Sequence, residues 1–138
     1  MSAIVICTSK LKNKKDLIEA FKLMGIPPQY IAIADSNEKL EHKGYGTQRE
    51  SVEVNISKSW HSGYGDVGFD KRSEDTYDII MDDMDKYKLS NVCGGGDFKQ
   101  KLSQHYSAAV AIRALKSQGF ASKISWDKDK IRVRALGY

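Results

Sequence analysis

Seven side chains of this sequence have the chemistry to bind a small anion that carries a planar ring. The set combines positive charge, an imidazole and two aromatic rings, and consists of His105, Arg113, Lys99, Lys101, Arg49, Trp60 and Tyr64. Arginine binds a phosphate through two parallel hydrogen bonds, lysine adds a point charge, and an aromatic face stacks on a base. The sequence therefore predicts that these residues bind a nucleotide-like anion.

Four of the seven, Lys99, Lys101, His105 and Arg113, lie on one long helix, which is predicted over residues 97–120. With an advance of about 100° per residue, its apolar side chains form a stripe that contains Phe98, Leu102, Tyr106, Ala109 and Ile112. His105 falls inside this stripe and Arg113 lies at its edge. Either both residues line an anion pocket, or His105 is a hydrogen-bonded core residue and Arg113 extends its charged group to water.

Two glycine-containing loops supply the aromatic rings and another cation. Arg49 ends the segment GYGTQR at residues 44–49, and Trp60 and Tyr64 lie in the segment WHSGYG at residues 60–65. Aromatic side chains between glycines can close over a planar ligand. The alternative is that the glycines form ordinary turns and the rings cover the hydrophobic core.

Lys99 and Lys101 follow a run of three glycines, residues 94–96, at the start of the long helix. Glycines in this place are typical of phosphate-binding turns, but no Lys-Ser/Thr pair follows them as in a P-loop. Asp97 occupies the N-cap position, where its carboxylate binds the amides that an anion would need. The run is therefore predicted to be a flexible connector. The lysines either balance nearby acidic residues or contact a bound phosphate.

The sequence predicts no metal, cofactor or catalytic residue. The acidic residues Asp78, Asp82, Asp83 and Asp85 lack the glycine-punctuated spacing of a calcium loop. The histidines and cysteines have no paired spacing for zinc, and no nucleophile elbow is present. The sequence therefore favours a binding protein over an enzyme.

Length and composition predict one globular domain over residues 1–138. The chain is 41% hydrophobic and 29% charged, with a net charge of +4 and an isoelectric point near 9.0. It has no apolar run of the ~18 residues that a membrane helix needs and no signal-peptide pattern. Its two distant cysteines suit a reduced compartment. These features predict a cytoplasmic protein, no membrane contact and a mild preference for anionic partners.

Hydrophobic periodicity and turn residues predict the order β-α-β-β-β-β-α-β-β. The fold class is α+β, a ferredoxin-like variant with two helices on one face of a mainly antiparallel sheet. Residues 35–50 are predicted as a long loop and residues 127–130 as the loop of a C-terminal hairpin. The expected core consists of Leu17, Phe21, Val54, Val67, Phe69, Leu102, Tyr106, Ala109, Trp126 and Val133.

The polar face of the predicted sheet disfavours binding of extended nucleic acid. It combines the basic hairpin residues Lys123, Arg132 and Arg134 with Glu53 and Asp66 on other strands. Acidic residues without neighbouring aromatic rings repel a phosphate chain.

The same mixture of charges is self-complementary, and a small sheet has free edges. Both features predict a homo-oligomer with a two-fold contact.

Four segments in the second half of the chain carry a resemblance to a known family. They are Gly65-Asp66-Val67-Gly68-Phe69, a strand beginning at Tyr77, the L-x-Q-x-Y pattern of Leu102, Gln104 and Tyr106, and Gly119-Phe120. In this order they resemble the hypothetical chloroplast reading frame thirty-five proteins (domain of unknown function 1257) of cyanobacteria, chloroplasts and phages, which have no settled activity. The resemblance covers residues 44–138. Where the family usually has Q-R-Y-A-Y, residues 104–108 are QHYSA, so no role of that arginine or second tyrosine carries over.

The leading functional prediction is a non-enzymatic binding protein for a small anionic, nucleotide-like ligand. The occurrence of short family members in phages implies a viral protein that sequesters its ligand. The alternative is a protein–protein interaction adaptor, for which exposed sheet edges would suffice. A phosphodiesterase or other hydrolase is the third prediction.

Overall fold

The computed structural model describes residues 2–35, 37–72, 75–128 and 130–136. It contains nine strands, three α-helices and a short 3-10 turn at Pro28–Tyr30. In chain order the elements are β1 (Ile4–Cys7), α1 (Lys14–Leu23), β2 (Ile31–Ile33), β3 (Leu40–Lys43), β4 (Arg49–Val52), β5 (Val54–Ile56), β6 (Val67–Lys71), β7 (Tyr77–Asp82), α2 (Lys86–Val92), α3 (Phe98–Ser117), β8 (Ala121–Asp127) and β9 (Lys130–Leu136).

A five-stranded antiparallel sheet in the order β1-β7-β6-β5-β2 forms the centre of the fold. α1 and α3 pack on one face of this sheet, where apolar side chains from both helices meet Val54 and Phe69. The predicted α+β class and mainly antiparallel sheet are confirmed. Of the predicted core, Leu17, Phe21, Val54, Val67, Phe69, Leu102 and Ala109 are buried, and Tyr106 and Val133 are half-buried.

The predicted order of elements is wrong because it omits three of them. α2 precedes α3, so the helices number three rather than two, and the predicted loop at residues 35–50 contains the β3–β4 hairpin. In this hairpin Leu40 pairs with Val52 and Lys43 with Arg49. The single predicted strand at residues 52–56 is also divided, because β4 ends at Val52 and β5 begins at Val54.

The β3–β4 hairpin covers the face of the sheet that the helices leave free. A Cβ atom on Gly68 of β6 would lie 2.7 Å from Val52 Cγ1 and 2.9 Å from His42 Cδ2. Because only a residue without a side chain permits so close an approach, Gly68 allows the hairpin to lie directly on the sheet. The part of the predicted polar face that carries Asn55, Asp66 and Gly68 is therefore interior.

Asp66 is the centre of a buried hydrogen-bond network under this hairpin. Its carboxylate accepts hydrogen bonds from the Lys43 and Lys58 amides, at 3.0 and 2.8 Å, and from Asn55 Nδ2 at 3.0 Å. His42 Nε2 lies 2.7 Å from the Asp66 carbonyl oxygen. Asp66 and Asn55 are 6% and 9% exposed. The predicted two-fold contact that uses Asp66 is therefore wrong in this detail, because the carboxylate cannot reach a partner chain.

β8 and β9 form a separate two-stranded sheet that packs on α3. The pairing runs from Ala121 with Leu136 to Asp127 with Lys130. The predicted four-residue loop is thus too long, and its position 129 lies outside the described residues. Trp126 was predicted in the core, but it is 50% exposed, with one side of its ring against His105 of α3.

Candidate functional site

The seven predicted site residues do not come together in one pocket. Lys101 and His105 lie next to Trp126 on the C-terminal hairpin, whereas Lys99 lines a different cavity. The other four residues bind or pack against protein groups elsewhere in the fold.

Arg113 connects α3 to α1 rather than facing a pocket. Its Nε and Nη2 atoms donate hydrogen bonds to Asp16 Oδ1 and Oδ2, at 2.9 and 2.8 Å. The hydrogen bonds with Asp16 are the main reason that the pKa of Arg113 is raised above its usual value. Asp16 is buried, so this bidentate contact satisfies a carboxylate that would otherwise lack a counter-charge. The arginine therefore has a structural partner in place.

Arg49, Trp60 and Tyr64 also have local structural contacts. Arg49 donates to the carbonyl oxygens of Gly46 and Gln48, at 2.9 and 2.7 Å. Trp60 is half-buried against the core, with its ring 6.2 Å from that of Phe98. Tyr64 packs edge-on against Tyr45 at 5.5 Å. For Trp60 this agrees with the alternative in which the ring covers the core.

A cavity of about 520 Å³ lies between the start of α3 and the tip of the β8–β9 hairpin. We call it the Trp126 pocket; its lining residues are Gly94, Gly95, Gly96, Asp97, Gln100, Lys101, Gln104, Trp126 and Lys128. Sequence reasoning included Lys101 in the site but missed Trp126 and Lys128. The alternation of β8 places Trp126 on the same face as Ile124, which predicted burial and hid its exposed position at the hairpin end.

The glycine run forms one wall of the Trp126 pocket in a backbone conformation that requires glycine. Gly94, Gly95 and Gly96 have φ angles of +81°, +97° and +82°. Three consecutive residues in this region would be strained with any side chain. The sequence predicted a flexible connector here, and the structure describes a defined turn that brings bare backbone to the pocket wall.

Lys101 and His105 support the indole ring of Trp126. The ring centroids of His105 and Trp126 are 5.4 Å apart, and Lys101 Nζ lies 5.8 Å from the Trp126 centroid. His105 Nδ1 donates to the Lys101 carbonyl oxygen at 2.7 Å, one helical turn earlier. His105 is therefore hydrogen-bonded and buried, as one of the two predicted alternatives required, and still contacts the pocket's aromatic ring.

The charges of the Trp126 pocket favour an anion with a modest charge. Lys101 and Lys128 contribute two positive charges, and Asp97 contributes one negative charge. Lys101 Nζ also donates to the Cys93 carbonyl oxygen at 3.2 Å, which holds the ammonium group beside the glycine run. Asp97 caps α3 by accepting a hydrogen bond from the Gln100 amide at 3.1 Å, as predicted. A ligand phosphate would therefore meet the lysines rather than the first amides of the helix.

Lys99 faces a second cavity, of about 800 Å³, on another side of α3. Its walls include Lys10, Ser103, Tyr106 and Ser107. The Tyr106 hydroxyl oxygen accepts hydrogen bonds from the Lys12 and Asn13 amides, at 3.1 and 2.9 Å. Lys99 and Lys101 are two residues apart and therefore point to different sides of the helix.

Cys93 beside the Trp126 pocket gives a test of the local environment. Burial raises the pKa of the Cys93 thiol to about 11; Asp97 adds to this effect, and Lys101 opposes it. Because the thiolate is the reactive species, alkylation of Cys93 by iodoacetamide in the Cys7→Ser variant should accelerate about tenfold per pH unit between pH 8 and 10. A rate that levels off near pH 9, with circular dichroism unchanged, would contradict a buried thiol.

His61 and Asp85 form a buried pair that offers no accessible catalytic group. His61 Nε2 lies 3.3 Å from Asp85 Oδ2, and both side chains are almost fully buried. Asp85 also accepts hydrogen bonds from the amides of Tyr64 and Gly65, so the pair holds the 61–65 turn against the start of α2.

Among the described residues, no group of three or more histidines, cysteines or acids could hold a metal ion. Within the same ranges, no helix has the length and apolar composition needed to cross a bilayer.

Comparison with known proteins identifies the family of the chain. The family model described as "Protein of unknown function (DUF1257)" matches residues 29–133. This chain is a DUF1257 protein. The match begins before the predicted limit at residue 44, so it includes β2 and the β3–β4 hairpin. No curated protein and no solved structure matches the chain.

The D-x-G-F segment by which the chain resembles DUF1257 proteins has a structural explanation. Asp66 holds the buried network, Gly68 admits the β3–β4 hairpin, and Phe69 packs into the core on the opposite face of β6. This alternation follows the two-residue period of a strand. The segment therefore joins the two layers that cover the central sheet.

Proposed function

We propose that this DUF1257 protein binds a small anionic, nucleotide-like ligand in the Trp126 pocket without converting it chemically. The observation that carries the proposal is the half-exposed indole ring of Trp126, which lies at a cavity that also contains Lys101 and Lys128. An exposed aromatic face stacks on a base, and lysine ammonium groups neutralise a phosphate. The combination suits a nucleotide better than a simple anion.

The pocket offers a distinct place to each part of such a ligand. The base stacks on the side of Trp126 that is free of His105, and the side-chain amide of Gln100 is available to its edge. The phosphate lies between Lys101 and Lys128, where the glycine turn allows close approach because it has no side chains. The negative charge of Asp97 partly offsets the positive charges of Lys101 and Lys128. The pocket therefore favours a ligand with one or two phosphate groups over a ligand with three.

Sequestering a ligand is the form of this function that the occurrence of the family in phages favours. A sequestering protein must hold its ligand tightly and release it unchanged. A cytoplasmic location and a homo-oligomeric state belong to the same proposal.

Calorimetry against mono-, di- and cyclic nucleotides and NAD-derived molecules tests the proposal. Replacing Lys101 with glutamine should cost about 1.5–3 kcal/mol of binding free energy, the value of a charged hydrogen bond. Trp126→Ala should abolish detectable binding. The matched control is Arg49→Gln, which also removes one positive charge but lies on β4 outside the pocket. Equal losses in Lys101→Gln and Arg49→Gln would contradict the assignment of the site.

A protein–protein adaptor is the second candidate, and the edges of the central sheet support it. Val5 and Ile6 on β1 and Ile33 on β2 are exposed apolar side chains on the two edge strands. Part of the β1 edge is already occupied, because Gln48 accepts from the Ile4 amide and donates to the Ser2 carbonyl oxygen. Light scattering that gives 15.5 kDa at high concentration would count against self-association through these edges.

A further inference from the structure

The cavity that Lys99 faces is larger than the Trp126 pocket, with a volume of about 800 Å³. Small-molecule sites in proteins have volumes of about 300–1,000 Å³. Six of the lining residues carry a hydroxyl group, and we therefore call it the hydroxyl cavity; they are Thr8, Ser9, Thr76, Ser103, Tyr106 and Ser107. Among the described residues, the hydroxyl cavity and the Trp126 pocket have no lining residue in common.

A bulge in the chain after β1 forms one wall of the hydroxyl cavity, at the edge of the central sheet. Cys7 pairs with Ile79, and the Tyr77 amide donates to the Leu11 carbonyl oxygen at 2.7 Å. Three residues, 8–10, therefore lie opposite one residue of β7. The extra residues interrupt the pairing, as bulges next to binding and active sites often do. The bulge gives the segment room to line a cavity instead of extending the strand.

One face of α3 forms the opposite wall. Lys99, Ser103 and Ser107 follow one another at intervals of four residues, so their side chains lie along one line of the helix. Both serines are exposed, and their short side chains leave the space beside the helix open. Tyr106 lies next to this line, with its ring packed against the core. The helix therefore brings one cation and three hydroxyl groups to the cavity.

The Tyr106 hydroxyl group is held so that its proton is available to a ligand. Its oxygen accepts hydrogen bonds from the Lys12 and Asn13 amides, at 3.1 and 2.9 Å. A hydroxyl oxygen has two acceptor positions and one proton to donate, so the two amides occupy both acceptor positions. Within the described ranges no group accepts the Tyr106 proton. The tyrosine is thus a fixed hydrogen-bond donor at the cavity.

The charged groups that line the hydroxyl cavity also lack protein partners. No described residue forms an ion pair with Lys10 or Lys99, and none donates a hydrogen bond to the Asp78 carboxylate. Asp78 is only 8% exposed. Burial of a charged group without a partner is costly, so Asp78 favours a ligand with hydroxyl groups to donate. The two lysines exceed this single acid by one positive charge, which favours a ligand that also carries a phosphate.

We infer that the hydroxyl cavity is a second binding site, which takes a small sugar phosphate. The phosphate contacts the ammonium groups of Lys10 and Lys99. The sugar hydroxyl groups donate to Asp78 and accept from Tyr106 and the serines of α3. The Tyr106 ring packs against the core, so the cavity has no exposed aromatic face like that of Trp126. It therefore suits a ligand without a base.

Calorimetry with glucose 1-phosphate tests the inference, and glucose and inorganic phosphate serve as the two separate parts of this ligand. Glucose 1-phosphate should bind more tightly than either part. Lys99→Gln should weaken it about tenfold or more, the value of one charged hydrogen bond. This variant should fold normally, because Lys99 is exposed and opposes the dipole of α3. Ser103→Leu should abolish binding, because the leucine side chain fills the cavity.

The matched controls lie on the same helix. Lys101→Gln removes the same charge at the Trp126 pocket, and Ala114→Leu adds bulk at an exposed position outside both cavities. Neither should weaken glucose 1-phosphate, and Lys99→Gln should leave nucleotide affinity unchanged. Equal losses in Lys99→Gln and Lys101→Gln would place the sugar phosphate in the Trp126 pocket and overturn the inference. Inorganic phosphate that binds as tightly as glucose 1-phosphate, or no binding of glucose 1-phosphate, would also overturn it. Neither result would affect the proposed function, which depends on nucleotide binding at Trp126.

Discussion

Replacing Asp66 with alanine is expected to lower the free energy of unfolding by about 3–5 kcal/mol. The carboxylate accepts hydrogen bonds from the amides of Lys43 and Lys58 and from the side chain of Asn55. Alanine would leave these donors without their charged acceptor in a largely buried region. Hydrogen bonds to a charged group are among the strongest in proteins. Urea unfolding monitored by circular dichroism measures the loss.

The control for this prediction is Asp75→Ala. This substitution removes the same negative charge as Asp66→Ala, but the Asp75 side chain is 89% exposed. It should change stability by less than about 0.5 kcal/mol. Asp66→Asn is also informative, because asparagine keeps the volume and one acceptor oxygen and should cost less than alanine. If Asp66→Ala and Asp75→Ala unfold at the same urea concentration, Asp66 does not hold the β3–β4 hairpin on the sheet.

Replacing Phe69 with alanine is expected to cost about 3–5 kcal/mol through loss of core packing. The Phe69 side chain is fully buried, and its ring centroid lies 5.1 Å from that of Phe21 on α1. Alanine would leave a cavity between the central strand and α1. Leu102→Ala on α3 should cost about 2–5 kcal/mol for the same reason. Thermal melts at neutral pH measure both effects.

The control for the aromatic deletion is Tyr87→Ala, which removes a similar ring from α2 at a position that is 75% exposed. Its melting temperature should stay within a few degrees of the wild-type value, because little apolar area leaves the interior. Unchanged melting of Phe69→Ala would contradict the packing of α1 and α3 on the same face of the sheet.

The sequence predicted the elements whose hydrophobic spacing is regular. Val67 and Phe69 alternate with Asp66 and Gly68, and α3 repeats apolar residues at helical spacing, so both were recognised. The β3–β4 hairpin was missed because its strands LEHK and RESV contain few apolar residues. Its buried positions are His42 and Val52, and burial of a histidine depends on tertiary hydrogen bonds that local spacing does not reveal.

The candidate site was predictable only where one element supplied it. Lys101 and His105 are four residues apart on α3, so the helical period placed them together. Trp126 and Lys128 reach the pocket from another sheet, and the path of the β8–β9 hairpin is set by its packing on α3. The same limitation explains why Arg113 was grouped with the site, since its partner Asp16 lies on another helix, α1.

Trp126 fluorescence is the most direct test of the proposed nucleotide site. The chain has two tryptophans, so Trp60→Phe leaves Trp126 as the single indole and keeps an aromatic ring against Phe98. Titration of this variant with the nucleotide panel should quench the fluorescence in a saturable manner, and mass spectrometry should recover the ligand unchanged. When Lys101→Gln is added to this variant, the nucleotide affinity measured from the quenching should fall at least tenfold. A nucleotide that binds by calorimetry without altering Trp126 fluorescence would contradict the site, and recovery of a converted product would contradict a non-enzymatic binder.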